Sequence, residues 1–191
     1  MIPLDNKELR LQALTARRSL SEEARWRFSK QICDTLLSCL GEAKHIALYM
    51  AEEDEVDLSF LFLPLLKEKH LYLPVCKGKG EMDMRVFHSA SVLTTNRYGI
   101  PEPEQEAVVD PALLDVIVVP MVCYDEAGNR LGHGMGFYDR YLKQSRAKRI
   151  GVAFSCQKAD AIHSAPHDVK MDLIIDETAV YSFSSKRELF H

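Results

Sequence analysis

The residues that most clearly suggest chemistry lie in one glycine-rich segment, RLGHGMGFYDRYL at residues 130–142. Its glycines Gly132, Gly134 and Gly136 alternate with other residues, and a backbone without Cβ atoms can turn successive amide N–H groups toward an anion. The segment follows a strand-like run and leads into a helical one, and the start of a helix also favours an anion. Residues 132–136, the glycine loop, are therefore predicted to bind phosphate.

When each residue is considered alone, a purely structural role stays open as an alternative to a role in ligand binding. The glycines fit a tight loop without a ligand as well as a phosphate site, and they match neither a Walker loop nor a dinucleotide fingerprint. An acid in the first turn of a helix, such as Asp139, is more often a partner of the helix dipole than a metal ligand. By the same reasoning Arg10 fits a solvated helix face, Glu55 a surface loop and Asp168 a turn.

The histidines and cysteines give little indication of a site. His133, His163 and His167 have no zinc-site spacing, and Cys156 has no neighbouring base, so we expect it to be a small buried side chain. The 5 cysteines contain no CxxC pair. We therefore expect reduced thiols, with neither a disulfide nor a zinc site.

Two amphipathic helices are predicted to open the fold. Apolar residues recur at helical spacing over residues 6–18, with Arg10 and Arg17 on the flank of the apolar stripe. A capping-box pattern at residues 19–22 then begins a second helix, which Gly41 ends.

The rest of the chain has the pattern of an α/β protein. A βαβ unit is predicted over residues 45–50, 57–69 and 71–76, followed by a strand at 84–88 and a connecting loop at 98–104. Three later runs have the β-branched composition of strands buried on both faces of a parallel sheet: residues 115–119, 150–154 and 173–175. We predict one domain over residues 1–191, a three-layer α/β/α sandwich with a mainly parallel sheet.

Composition narrows the class of function. The chain has 191 residues, 47% of them hydrophobic, and 24 basic against 28 acidic residues give a net charge of -4, which does not favour nucleic acid or an anionic membrane. The longest apolar runs, 58–66 and 116–123, are far shorter than the roughly 20 residues that span a bilayer. The amino terminus lacks the features of an export signal. We expect a cytoplasmic monomer that acts on a small molecule, with no nucleic acid or membrane partner.

The longer string RLGxGxGFYDRYL is similar to the signature of the 5-formyltetrahydrofolate cyclo-ligase family. Further matches occur in family order at residues 17–23, 55–57, 73–75, 98–103, 119–120 and 166–169. The resemblance implies a sandwich related to ribose-phosphate isomerases and CoA transferases. It also implies an ATP- and Mg²⁺-dependent ring closure of 5-formyltetrahydrofolate, free or polyglutamylated, to 5,10-methenyltetrahydrofolate.

The implied reaction requires positioning and charge neutralisation rather than a catalytic nucleophile. In the family, the formyl oxygen attacks the γ-phosphate of ATP, N10 attacks the resulting iminophosphate, and phosphate leaves. Because the phosphoryl group itself activates the formyl oxygen, the protein needs mainly to align the reactants and stabilise charge.

The resemblance also implies roles for individual residues. Arg130 and Tyr138 would act in catalysis, and Asp139 and Asp168 would bind Mg²⁺, which prefers oxygen ligands. The implied nucleotide contacts are Asn6, Lys7, Arg10, Arg130, Gly132, His133, Gly134, Met135, Gly136, Phe137 and Tyr138. The implied folate contacts are Met50, Glu55 and Phe137.

The chain departs from the family pattern at several of these positions. Asn6 stands where many members carry a lysine, for which Lys7 could substitute, and His133 and Met135 occupy positions that are basic in some members. Fewer fixed charges would then face the triphosphate. Met121 changes the expected shape of the pocket wall.

Two rival functions stay open at this point. A non-catalytic folate or nucleotide binder on the same scaffold would be expected to lose the metal-binding acids or the loop glycines, all of which are present. A sugar-phosphate isomerase or a CoA-transferase-like enzyme would need neither ATP nor the second acid, and the fold alone does not separate it from a ligase.

Overall fold

The computed structural model describes residues 4–183 of the chain. The helices within this range are α1 (Asn6–Ser19), α2 (Glu22–Leu40), α3 (Ser59–Leu66) and α4 (Phe137–Leu142). The strands are β1 (His45–Ala47), β2 (His70–Gly78), β3 (Glu81–Phe87), β4 (Thr94–Thr95), β5 (Pro101–Glu102), β6 (Val116–Pro120), β7 (Cys123–Tyr124), β8 (Arg130–Leu131), β9 (Lys148–Val152), β10 (Leu173–Ile175) and β11 (Val180–Ser182). Of the described helices, none is long and apolar enough to cross a membrane.

Seven strands form the central sheet in the order β11-β10-β9-β6-β1-β2-β3. Pairing is parallel from β10 to β2, and the two edge strands β11 and β3 are antiparallel to their neighbours. The middle strand is β6, where Val116, Ile117, Val118 and Val119 are each at most 3% exposed. Its β-branched composition follows from this position, because both of its faces are covered.

Helices cover both faces of this sheet, which confirms the predicted three-layer sandwich. On one face, α2 and α3 contribute Ile32, Leu36 and Leu61 to the larger core. On the other face, α4 contributes Tyr141 and Leu142. Because α4 is short, connecting segments cover much of this second face and leave room for a cleft beside it.

Helix α1 packs on the 3-10 turn at residues 155–157 and on the small β7–β8 hairpin. Leu9 and Ala13 form a separate cluster with Val122, Leu131 and Ile162. Because β8 runs directly into the glycine loop, this packing holds α1 beside that loop.

The boundary between the first two helices differs from the prediction. Helix α1 continues to Ser19, so the predicted capping box at residues 19–22 does not form. Ser21 caps α2 instead, and its hydroxyl accepts the N–H of Ala24 at 3.1 Å. Gly41 ends α2 as predicted, with a φ of +52°.

Other elements are shorter or more ordered than predicted. Strand β1 ends at Ala47 rather than at residue 50, and α3 begins at Ser59 rather than at residue 57. The later start of α3 follows from the carboxylate of Asp57, which accepts the N–H of Ser59 at 2.8 Å before the first turn. The predicted loop at residues 98–104 contains β5, which pairs with β4.

Two adjacent arginines of α1 bind the same carboxylate from very different environments. Arg17 is only 2% exposed and its Nη2 lies 2.7 Å from Oδ1 of Asp54. Arg18 is 69% exposed and its Nε lies 3.2 Å from Oδ2 of the same residue. Arg17 and Arg18 therefore form one buried and one exposed ion pair with the same partner, Asp54, and their contributions to stability can be compared directly.

We expect Arg17→Met to lower the free energy of unfolding by about 2–3 kcal/mol, because it leaves a largely buried carboxylate without its main cation. Arg18→Met should change it by at most about 0.5 kcal/mol, as is usual for an exposed pair. Urea unfolding of both variants measures the difference. Equal small losses would show that burial of Arg17 does not strengthen its ion pair.

Candidate active site

A cleft of about 880 Å³ opens at the carboxyl ends of the parallel strands. Met50, a few residues after β1, and Met121, directly after β6, line it. The glycine loop and the start of α4 form another part of the wall, and α1 contributes Arg10. Ligands of open α/β sheets commonly bind at this edge of the sheet, and the volume is in the usual range for a small-molecule site.

The structure brings nearly all of the predicted site residues together. Those that line the cleft are Asn6, Arg10, Met50, Glu55, Arg130, Gly132, His133, Gly134, Met135, Gly136, Phe137, Tyr138, Asp139 and Asp168. Lys7 does not: it is exposed on α1 and lies outside the cleft lining. The structure therefore does not bring Lys7 to the cleft with the other predicted residues.

The glycine loop has a backbone conformation that requires glycine. Gly134 and Gly136 have φ angles of +94° and +70°, which residues with side chains rarely adopt. A Cβ atom at Gly134 would meet no atom within 4 Å, so conformation rather than crowding restricts this position. Within residues 4–183, the N–H groups of residues 133–136 donate no hydrogen bond. They are available to a ligand in the cleft.

Arg10 and Asn6 connect α1 to two parts of the cleft. The Nε of Arg10 donates to the carbonyl oxygen of Gly132 at 2.8 Å. The side-chain amide of Asn6 donates to the carbonyl oxygen of His163 at 2.7 Å and accepts the N–H of that residue at 3.2 Å. Asn6 thus uses its amide to hold the segment that precedes Asp168.

Arg130 and Asp139 form an ion pair in the cleft wall. The Nη2 of Arg130, a side chain only 4% exposed, lies 2.8 Å from Oδ1 of Asp139. The guanidinium carbon lies 5.9 Å from the centre of the Tyr138 ring. Two buried atoms at this point, Nε of Arg130 and the hydroxyl of Tyr138, have no partner among the described residues. Because buried polar atoms are normally paired, these two leave hydrogen-bonding capacity unused at the cleft wall.

Burial changes the acidity of both groups. It lowers the pKa of Arg130, although the nearby Asp139 opposes this shift, and a guanidinium stays charged over any ordinary pH. Burial also raises the pKa of Tyr138, and the negative charge of Glu55 adds to the effect. The Tyr138 hydroxyl therefore stays protonated and can donate a hydrogen bond, but it is not a general base near neutral pH.

The carboxylates of Asp139 and Asp168 come from different segments that meet at Val169. The Val169 N–H donates to Oδ1 of Asp139 at 3.2 Å, and Oδ2 of Asp168 accepts the N–H of Ala165 at 2.7 Å. Within the described range, Oδ2 of Asp139 and Oδ1 of Asp168 accept no hydrogen bond, although His167 lies 3.6 Å from the latter. Each acid therefore has one carboxylate oxygen that accepts no hydrogen bond. Oxygen atoms are the ligands that Mg²⁺ prefers.

Glu55 joins three elements of the cleft. Its Oε2 accepts the N–H of Glu52 at 3.1 Å, while Oε1 lies 3.8 Å from Nη1 of Arg17 and 3.9 Å from Nε2 of His133. Ligand atoms of Glu52, Glu55 and His133 lie within 4.8 Å of one another, but such exposed acidic groups are common without an ion. We therefore describe this set as an ion-pair network between α1, the segment after β1 and the glycine loop.

Several cleft residues were missed by sequence reasoning. Glu102 is 2% exposed and accepts hydrogen bonds from the N–H of Cys76 at 2.9 Å and from the side chain of Asn96 at 2.7 Å. An acid between two prolines suggests a surface turn, so no local signal marks it. Arg140 lines the cleft as well. Conversely, Cys156 is exposed, not buried as predicted.

Together, the fold and the cleft define an α/β protein whose site combines a glycine loop with unpaired amides, a buried arginine and two carboxylates, a combination suited to a nucleoside triphosphate. The model of the 5-formyltetrahydrofolate cyclo-ligase family matches residues 4–177. The chain belongs to this family, which confirms the resemblance seen in the sequence.

Relatives and solved structures agree with this assignment. The chain is 28% identical to the 5-formyltetrahydrofolate cyclo-ligase of Escherichia coli K12 over 87% of its own length and 97% of that protein. It is similar to the solved structure of Aquifex aeolicus 5,10-methenyltetrahydrofolate synthetase, with a TM-score of 0.85, 38% identity and coverage of 97% and 96% of the two chains. For the Mycoplasma pneumoniae 5,10-methenyltetrahydrofolate synthetase, the TM-score is 0.77, the identity 29% and the coverage 91% and 99%.

The contact between His133 and Glu55 makes the free energy of unfolding depend on pH. The Glu55 carboxylate, 3.9 Å from Nε2, raises the pKa of His133 above its ordinary value, and burial opposes this shift. A raised folded-state pKa means that the pair stabilises the fold fully below the unfolded pKa near 6.5 and loses this contribution as the pH rises through the folded value.

We therefore expect the stability difference between wild type and His133→Gln to be larger at pH 5.5 than at pH 8.5, and small throughout, because the imidazole is half exposed. Thermal unfolding at the two pH values measures it. Glu55→Gln should remove the same pH dependence. A difference that does not change with pH, or that grows as the pH rises, would contradict the ion pair.

Proposed function

We propose that this protein catalyses the ATP-dependent cyclisation of 5-formyltetrahydrofolate to 5,10-methenyltetrahydrofolate, with release of ADP and phosphate. The observation that carries the proposal is the set of unpaired N–H groups at residues 133–136, which lies in the same cleft as Arg130, Asp139 and Asp168. Membership of the cyclo-ligase family supports this choice over an isomerase or a transferase.

In this proposal the nucleotide lies along the glycine loop. The N–H groups of residues 133–136 bind triphosphate oxygens, and Arg10 and Arg130 are fixed positive charges beside them. Arg130 stabilises the charge that develops as the formyl oxygen takes the γ-phosphoryl group. Its Nε is buried without a partner among the described residues.

The folate lies on the side of the cleft formed by Met50, Glu55 and Phe137. The Glu55 carboxylate is 9% exposed and is held in place by Arg17, so it can accept hydrogen bonds from the N–H groups of a pteridine ring. Tyr138, whose raised pKa keeps its proton in place, donates a hydrogen bond to the reactants. These contacts place the formyl oxygen toward the phosphate and N10 toward the formyl carbon, and alignment is the main requirement of this reaction.

We also assign Mg²⁺ to Asp139 and Asp168, because each keeps an oxygen without a hydrogen bond. When bound, Mg²⁺ would neutralise negative charge on the triphosphate. Action as a cytoplasmic monomer on 5-formyltetrahydrofolate, free or polyglutamylated, belongs to the same proposal and rests on the family resemblance and the composition.

The purified protein tests this function directly. We expect ADP and the ultraviolet absorbance of 5,10-methenyltetrahydrofolate to appear together, and only when ATP, Mg²⁺ and 5-formyltetrahydrofolate are all present. A non-catalytic binder would show calorimetric binding of folate or ATP without either product. ADP release without the folate would indicate an ATPase and contradict the proposal.

The metal assignment predicts that Asp139→Asn lowers turnover by at least about tenfold and raises the Mg²⁺ concentration needed for half-maximal rate, because one ligand charge is lost. The asparagine oxygen can still accept the hydrogen bond of Arg130, but the buried guanidinium loses its counter-ion, so urea unfolding must first show that the variant is folded under the assay conditions. The matched control is Asp34→Asn. Asp34 is an exposed acid on α2 that pairs with Lys30 and does not line the cleft. If Asp139→Asn kept full turnover at limiting Mg²⁺, Asp139 would instead be a partner of the α4 dipole.

A further inference from the structure

We propose that Arg140 is a positioning residue, which holds the glycine loop in its phosphate-binding conformation by joining it to the turn between β2 and β3. The inference rests on the proposed function, in which this loop binds the triphosphate of ATP. Arg140, which lines the cleft, would then act through its hydrogen bonds to the loop as well as through its positive charge.

The guanidinium of Arg140 binds two carbonyl groups from separate segments. Its Nη1 donates to the carbonyl oxygen of Met135 at 2.8 Å and to that of Gly80 at 2.9 Å. The backbone N–H of Arg140 donates to the carbonyl oxygen of Gly136 at 3.2 Å. One residue of α4 therefore fixes the last two carbonyls of the glycine loop and connects them to the β2–β3 turn.

The turn is shaped to accept this contact. Gly80 has a φ of +77°, and a Cβ atom there would lie 2.0 Å from Nη1 of Arg140 and 2.8 Å from the carbonyl oxygen of Met135. Gly78, in the same turn, has a φ of +95° but no atom within 4 Å of its Cβ position. Both glycines suit the turn, and only Gly80 is also required by the close approach of the glycine loop.

The geometry of the peptide unit explains how Arg140 acts on phosphate binding. The described residues contain no cis peptide bond, so the carbonyl of Met135 and the N–H of Gly136, which share one planar unit, point in opposite directions. Because the carbonyl is directed to Arg140, the N–H of Gly136 is directed away from it. This N–H is one of those that donate no hydrogen bond within the described range.

The anchor belongs to regular secondary structure that packs into a core. Strands β2 and β3 pair along most of their length, and Tyr141, the neighbour of Arg140, packs in one cluster with Met82 and Met84 of β3. Arg140 therefore connects the glycine loop to two ordered elements. Without Arg140, the Met135–Gly136 peptide could rotate. The loop would then lose conformational entropy each time it bound a phosphate, and the affinity would fall.

The test uses two variants that break the contact from opposite sides. Arg140→Met removes the donors, and Gly80→Ala keeps the cation but displaces it. We expect both to weaken ATP binding in calorimetry, and to raise KM for ATP, by about tenfold, the effect of losing roughly one charge-assisted hydrogen bond. KM for 5-formyltetrahydrofolate should rise less than KM for ATP, since the proposed folate contacts Met50 and Glu55 lie outside the glycine loop and the turn.

Gly78→Ala is the matched control, because it has the same conformational cost and no close contact. It should bind ATP like wild type. Arg140→Lys should be intermediate between wild type and Arg140→Met, since one ammonium can reach a carbonyl but does not reproduce the planar fork. If Gly80→Ala fails to fold, the Arg140 variants decide the question.

Unchanged ATP affinity in Arg140→Met, equal losses for ATP and folate, or a Gly78→Ala variant as weak as Gly80→Ala would each overturn the inference. These outcomes are separate from a failure of the proposed function. A wild-type protein that binds ATP but forms no 5,10-methenyltetrahydrofolate would contradict the function and leave the comparison of ATP affinities intact.

Discussion

The site depends on how the two sides of the glycine-loop backbone are used. The carbonyl oxygens of Gly132, Met135 and Gly136 accept hydrogen bonds from Arg10 and Arg140, whereas the N–H groups of residues 133–136 donate none within the described range. Since the two groups of a peptide unit point in opposite directions, the bonds to the carbonyls of Gly132 and Met135 direct the N–H groups of His133 and Gly136 away from Arg10 and Arg140. An anion site can be built from backbone alone, but only if side chains from other elements hold that backbone.

This use of arginines affects the charge available to a ligand. Arg10 and Arg140 already bind carbonyl oxygens, and Arg130 already has Asp139 as a counter-ion. The charge of Arg130 is therefore partly balanced before a triphosphate arrives, and Arg10 and Arg140 have fewer free donors to offer it. A divalent cation held by the remaining carboxylate oxygens would restore the positive charge, which agrees with the proposed role of Asp139 and Asp168.

Sequence reasoning succeeded where the signal was local. The β-branched run at β6 and the alternating glycines each carry their physical cause within a few residues, since burial on both faces selects composition and positive φ selects glycine. It failed for contacts between distant segments. Gly80 and Arg140 are 60 residues apart in the sequence. Glu102 accepts a hydrogen bond from the N–H of Cys76, which is 26 residues away. No periodicity marks such pairs, because each is set by how the sheet and its turns fold together.

The network around Glu55 connects the predicted folate side of the cleft to the nucleotide side. Its Oε1 lies at similar distances from Arg17 and His133, but the two cations are held differently. Arg17 is buried and bound to Asp54, whereas His133 is half exposed on the glycine loop. A ligand that hydrogen-bonds to Glu55 therefore displaces His133 more readily than Arg17. Displacement would leave the carboxylate in place beside Arg17 and release the imidazole of the glycine loop, so a ligand on the folate side of the cleft would alter the loop that we propose binds the nucleotide.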